Sequence, residues 1–206
     1  MKKLVCGVGI NDLPYRTQVW EWVTENGGKK IRKLVFLCPY YEAWRSMLKR
    51  CYSKKSLERN PSYNGTSVCR EWLSATAFKA WMEQQDWQGK SLDKDIIVPG
   101  NKLYSPETCA FVLKATNSFV TASDASRGDY PIGVYLCKPT GKYQAQCRNP
   151  FTREQEYLGY FSTPEEAHEC WRKRKHELAQ LVADTESDVR VVEALRKCYS
   201  FEERYK

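Results

Sequence analysis

The stretch KYQAQCR, residues 142–148, constrains the fold most tightly. Polar and small or apolar side chains alternate along it, and successive side chains of a strand point to opposite faces. Lys142, Gln144, Gln146 and Arg148 therefore share one face, and Tyr143, Ala145 and Cys147 share the other. A strand at 132–137 and a Pro139-Thr140-Gly141 turn precede it. A third strand follows at 156–161. Ser162-Thr163-Pro164-Glu165-Glu166 then carries the marks of a helix start: a hydroxyl cap, proline in the first turn and acids that favour the helix dipole. That helix is predicted to run past Trp171 to about Ala183. Three strands followed by a helix make a minimal antiparallel sheet packed on a helix, occupying 132–183. Residues 184–206 alternate charges around Val189, Val192 and Leu195 and predict one further helix and a polar tail.

The chain upstream is organised differently. Residues 1–36 predict a hairpin region, with strands at 5–10 and 17–23 and an Asn26-Gly27-Gly28-Lys29 turn leading into 31–37. Residues 37–120 form a denser unit. Pro39 opens a helix whose Tyr41, Trp44, Met47, Leu48 and Cys51 recur at helical spacing. A second helix buries Phe78, Trp81 and Met82 and ends at Gly89. A strand is expected at 92–98, a turn at Pro99-Gly100-Asn101, and another strand element at Phe111-Val112. TASDASRGDYP, residues 121–131, is small, polar and turn-rich and reads as a linker. The class is α+β.

Composition narrows the partners. The net charge is +8 over 206 residues, which points to a polyanion, and nucleic acid is the commonest. No apolar run nears the ~20 residues that cross a bilayer, and no basic amphipathic helix with a wide apolar face is evident, so no membrane partner is expected. The apolar run near the start ends at Asn11-Asp12, too short for a secretory signal. There are nine cysteines, an odd number without a CxxC pair, which fits reduced thiols in a cytosol. Zinc held by Cys38, Cys51, Cys69 and Cys109 stays open but is not favoured, because close ligand pairs are missing.

The polar face of 142–148 offers both donors and charge. Arg and Lys reach phosphate or guanine, and Gln pairs with adenine in the major groove. Tyr135 and Arg153 extend that surface. A solvated face of an ordinary antiparallel sheet is the other reading. The stretch GVYLCKPTGKYQAQC…EYLGYFSTPEEAHECWRKRKHELA, within a span of about 50 residues from Gly133 to Ala183, resembles the APETALA/ethylene-response-factor type of DNA-binding domain. Its Gly-Val strand, GKY.A strand, Leu158-Gly159-Tyr160-Phe161 corner and Glu165-Glu166-Ala167 helix start follow the family's order. The resemblance implies a three-stranded sheet laid in the major groove, with Lys142, Gln144, Gln146 and Arg148 as DNA contacts.

Domains of that type also occur at the C-terminus of phage-borne HNH homing endonucleases. The pattern CPYYEAWRSMLKRCY…SVCREW…FKAWM…LDKDIIVPGNKLYSPETCAFV…N, residues 38–117, resembles phage HNH-endonuclease-like proteins. That resemblance implies a ββα-metal unit over 37–120 and one divalent metal, Mg²⁺ or Mn²⁺, if the protein is active. By the same resemblance, Asp93 and Asn117 match the metal ligands and Asn101 the residue that braces the hairpin.

Lys94 stands where the family has histidine. A protonated lysine is a poor general base, and acids on both sides favour its protonated form. Three readings of Asp93-Lys94-Asp95 stay open: a variant nuclease in which the acids hold metal and Lys94 stabilises charge, a degenerate nuclease that only binds DNA, and a structural ion pair near Asn101. Arg45, Lys49 and Arg50 form a further basic patch, suited to phosphate or to solvent. The expectation is a phage-type double-stranded DNA-binding protein of the host cytoplasm, with metal-dependent nicking open. The alternative is an accessory protein that binds and inhibits a host protein.

Overall fold

The protein is described by a computed structural model covering residues 4–25, 27–120 and 129–200. It divides into two compact units, Met1–Gln88 with Leu92–Phe111, and Gly89–Ser91 with Val112–Lys206. The first unit starts with an antiparallel hairpin, β1 (Gln18–Thr24) and β2 (Lys30–Leu37), bulged between Val19 and Trp20. Helices α1 (Pro39–Tyr52) and α2 (Lys54–Arg59) follow, then β3 (Ser67–Val68), α3 (Ala75–Met82), and the short strands β4 (Ser91–Asp93), β5 (Leu103–Tyr104) and β6 (Ala110–Val112). β3 and β5 pair in parallel.

The core of this unit is aromatic. Trp44, Met47, Leu48 and Cys51 form the buried face of α1, the set that helical spacing predicts. Trp72 meets Phe78 at 5.1 Å and Trp81 at 4.4 Å between ring centroids. The Trp44 indole N–H donates to Trp72 O at 2.7 Å, so the buried polar atom is satisfied. Each such side chain contributes roughly 1.5–3 kcal/mol by leaving water.

Two expected strands are shorter than their apolar runs suggest. At 5–10, Cys6 and Gly7 take positive φ (51° and 81°) and fold the chain back, leaving an isolated Val5–Gly9 bridge. Gly9 lies so close to α1 that a Cβ there would sit 2.3 Å from Leu48, so only glycine fits. The strand expected at 92–98 stops at Asp93. The Asp93 Oδ1 captures the backbone N–H groups of Asp95 (2.8 Å) and Ile96 (2.7 Å), bonds that compete with a strand ladder. In the stretch expected as a ββα hairpin-helix, the short strands β4 and β6 pair with each other, β5 pairs instead with β3, and a helix follows at Lys114–Val120.

The second unit begins with α4 (Lys114–Val120) and continues with β7 (Val134–Cys137), β8 (Lys142–Arg148), β9 (Gln155–Phe161), α5 (Pro164–Ala183) and α6 (Val189–Lys197). The division between units falls after Phe111, ahead of the expected linker, so α4 belongs with the second unit. Of that linker, 121–131, residues 121–128 lie outside the described residues. β7, β8 and β9 form one antiparallel sheet with β8 in the centre. α5 packs across it and α6 packs on α5.

Thr163 caps α5, accepting from Glu166 N, while the Glu166 side chain accepts from Thr163 N in a capping box. Such a cap is worth about 1 kcal/mol. Gly133 has φ 82°, and a Cβ on it would meet Trp171 at 2.1 Å, so the start of the sheet rests directly on the helix. Ala145 and Cys147 from β8 and Ala167, Trp171, Leu178 and Val182 from α5 fill the interior. No described helix is long and apolar enough to cross a membrane.

Candidate nucleic-acid interface

The outer face of the second unit's sheet is built from β8 outward. Ala145 and Cys147 are buried, while Lys142 and Arg148 are exposed and Gln144 and Gln146 half-buried. Register sets the neighbours. Gln144 pairs with Tyr135 on one side and Tyr160 on the other, Gln146 with Tyr157, and Arg148 with Gln155. Tyr135, Tyr157 and Tyr160 are all about half exposed, at 54%, 53% and 48%. The Tyr157 and Tyr160 rings meet edge-on at 5.5 Å.

A bulge between Ala145 and Gln146 shifts the ladder, opposite Gly159 at φ 125°. Only glycine adopts that backbone readily, which accounts for the Leu158-Gly159 pair inside a strand. Among the described residues, the side chains of Lys142, Gln144, Gln146, Arg148 and Arg153 have no ion-pair or hydrogen-bond partner. The face thus combines unspent donors with exposed rings. Tyr157 and Tyr160 were not among the residues singled out from sequence. The signal was there: they flank the Leu158-Gly159 pair, and the bulge pairs Tyr157 with Gln146 and Tyr160 with Gln144.

The frame under this face is firm. Glu156 accepts two bonds from Arg174 (2.6 and 3.0 Å) and one from Asn149 (2.7 Å). These bonds, the Arg174 guanidinium first, hold its carboxyl down at about 2. Asn149 Oδ1 also accepts from Phe151 N (2.9 Å), shaping the β8–β9 turn. Arg153 sits in that turn at φ 63° and is exposed. Helix α5 places His168 Nδ1 3.0 Å from Ile132 O and His176 Nδ1 2.8 Å from Cys198 O, so both rings serve the fold.

The Asp93-Lys94-Asp95 corner of the first unit has the opposite character. Lys94 is 5% exposed. Its Nζ donates to both carboxylate oxygens of Asp95 (2.7 Å each) and to Asn101 O (2.8 Å). Asn101 returns the tie, its Nδ2 donating to Lys94 O (2.9 Å) and Leu103 O (2.6 Å) and its Oδ1 accepting from Leu103 N (3.0 Å). One oxygen of Asp93, Oδ1, accepts the two amides described above, and burial pushes its carboxyl above the ordinary range. The three charged groups and Asn101 therefore close one loop upon itself. An ammonium with its donors already placed has no lone pair to accept a proton.

The remaining candidates divide. Lys49 is exposed, and Arg45 lies over the Tyr41 ring at 5.7 Å. Arg50, expected as a phosphate contact, turns inward and donates to Leu92 O (3.3 Å) and Tyr104 Oη (3.4 Å). Its guanidinium ties the β4 backbone and the Tyr104 side chain of β5 to α1. Asn117 lies on α4 in the second unit and Asp93 in the first. Among the described residues no three His, Cys, Asp or Glu side chains are grouped to hold a metal ion. None of the nine cysteines forms a disulfide. Burial pushes the Cys51 thiol up to about 11 and the Cys109 thiol up to about 12.

Comparison with known proteins adds one resemblance. Over 61 residues the chain is 34% identical to Ethylene-responsive transcription factor ERF117 of Arabidopsis thaliana, covering 30% of this chain and 18% of that protein. Over 54 residues it is 39% identical to Ethylene-responsive transcription factor ERF116 of the same plant, covering 26% of this chain and 18% of the other. The chain spans less than a fifth of the length of these curated relatives. No family model matches the chain, and no solved structure matches it.

Proposed function

We propose that this protein binds double-stranded DNA through the outer face of β7, β8 and β9, seated in the major groove. The observation that carries this reading is the row of unpartnered donors Lys142, Gln144, Gln146 and Arg148, bordered by Tyr135, Tyr157 and Tyr160. The major groove is wide enough for a β-ribbon. Gln pairs with the adenine edge and Arg with guanine, while Lys neutralises phosphate. The similarity to ethylene-responsive transcription factors supports the same activity, and the net charge of +8 supports a polyanionic ligand.

In this reading the Asp93-Lys94-Asp95 corner is a scaffold and not a nicking centre. The clamp of Lys94 by Asp95 and Asn101 supports that role. Fluorescence anisotropy with labelled duplex across a salt series tests the DNA reading. Binding is expected at low salt, falling linearly on a log–log plot as counterions are released. An absence of binding at low salt would sink it and favour a protein partner. Nicking of supercoiled plasmid with Mg²⁺ or Mn²⁺, abolished by Asp93→Ala, would overturn the scaffold role.

A further inference from the structure

Four cations converge on one cleft of the second unit. Lys114 of α4, Arg148 at the end of β8, Arg153 in the β8–β9 turn and Lys175 of α5 line it, together with Ser118 and Asn149. Its volume is about 610 Å³, and no acidic residue lines it. Lys175 is only 9% exposed. Its Nζ donates one hydrogen bond, to Phe119 O at 2.9 Å, and lies 3.4 Å from the Phe119 ring centroid and 5.1 Å from that of Tyr199.

An ammonium has three protons to donate. Among the described residues, two of those on Lys175 meet no protein acceptor, and no carboxylate pairs with it. Burying a cation without a counter-charge is costly, and folded proteins ordinarily supply an acid beside it. Here the rings attract the cation from one side, while on the other side three further unpaired cations face the same space. The Ser118 hydroxyl and the Asn149 amide add neutral polar groups to the rim. Such a constellation fits a compact phosphate anion, ester or free, rich in acceptor oxygens.

We propose that this cleft is a phosphate-binding site, with Lys175 at its floor and Lys114, Arg148 and Arg153 at its mouth. Arg148 belongs to both the cleft and the outer face of β8. A backbone phosphate flanking the groove-bound duplex would enter here, an assignment of source that rests on the proposed DNA binding. A free phosphate-bearing ligand offers the same chemistry.

The test uses the full chain and two variants, Lys175→Met, which keeps the buried stem, and Lys114→Ser, which alters only an exposed side chain. Lys173→Met removes one charge from the exposed side of α5 and serves as control. Thermal unfolding in inorganic phosphate is compared with chloride at matched ionic strength, and duplex binding is followed across a salt series. Phosphate is expected to raise the unfolding midpoint of the wild type and of Lys173→Met, and to lose most of that effect in both cleft variants. For a backbone phosphate, each cleft variant also lowers the log–log salt slope by about one, and the control does not. A lost phosphate effect with an unchanged slope assigns the cleft to a free phosphate-bearing ligand. A slope lowered only in the cleft variants, without an effect of free phosphate, assigns it to the backbone alone. Phosphate stabilisation without any duplex binding removes the DNA reading and leaves the cleft standing. No phosphate-specific stabilisation together with unchanged slopes overturns the proposal.

Discussion

The Asp93-Lys94-Asp95 corner and the outer face of β8 carry the same kinds of side chain, and they use them in opposite ways. In the corner, the Lys94 ammonium meets three acceptor atoms from Asp95 and Asn101, and Asp93 holds two backbone amides. On β8, Lys142, Gln144, Gln146 and Arg148 meet no partner among the described residues. Polar groups already paired within the protein stabilise it, whereas exposed donors paired only with water can exchange that water for a ligand without breaking a bond inside the protein. The density of charge does not separate a site from a scaffold; whether the charge is already satisfied does.

Substitutions should therefore divide into those that unfold and those that unbind. The largest effect is expected from Lys94→Ala. Removing a buried cation that ties Asp95 to the Asn101 loop should cost roughly 2–4 kcal/mol in chemical denaturation. Duplex affinity of the folded fraction should stay the same. A loss of affinity with intact stability would break the comparison. Next come Gln144→Ala and Arg148→Ala. Each should weaken duplex binding by about 1–3 kcal/mol, measured by anisotropy, with an unfolding midpoint close to that of the wild type. Tyr157→Ala and Tyr160→Ala should each cost roughly 1 kcal/mol of binding, as rings that border the polar row. Unchanged affinity would confine the interface to β8.

The smallest effect sharpens the boundary between frame and face. Glu156 has its carboxyl lowered to about 2 by Arg174 and Asn149, against an ordinary value near 4.5. A depressed carboxyl adds stability that is fully present above the ordinary value. That stability is lost as pH falls from about 4.5 towards 2. The pair is partly open to solvent, so the contribution should be only about 0.5–1 kcal/mol. Glu156→Gln should remove this acid-sensitive part of stability, seen by thermal unfolding across that pH window, and leave duplex affinity near neutrality intact.

Much of the second unit is legible in the sequence because local signals agree. The period-two pattern of residues 142–148, the turn at Pro139-Thr140-Gly141 and the Thr163-Pro164 helix start all point to one arrangement, and each occurs where expected. The first unit is less legible for specific reasons. Ile96-Ile97-Val98 looks like a strand, but the Asp93 side chain takes two amides and bends the chain first. Val5 to Ile10 looks like another, but positive φ at Cys6 and Gly7 reverses it. Arg50 shares a basic helix with Lys49, yet it points to Leu92 and Tyr104, partners 42 and 54 residues away in sequence. Lys175 gave no signal at all, since one lysine among many in a basic helix carries no mark of burial. Side-chain capture and long-range pairing are tertiary events, and periodicity does not encode them.

The central claim is that unspent donors on β8, and not the charged corner, contact DNA. Duplex affinity across a salt series, compared between wild type, the Gln144→Ala/Arg148→Ala double variant and Lys94→Met, tests it most directly. The account predicts salt-sensitive binding by the wild type, a loss of at least tenfold in the double variant and wild-type affinity for folded Lys94→Met. Equal binding by wild type and double variant, or no binding at low salt, would contradict it.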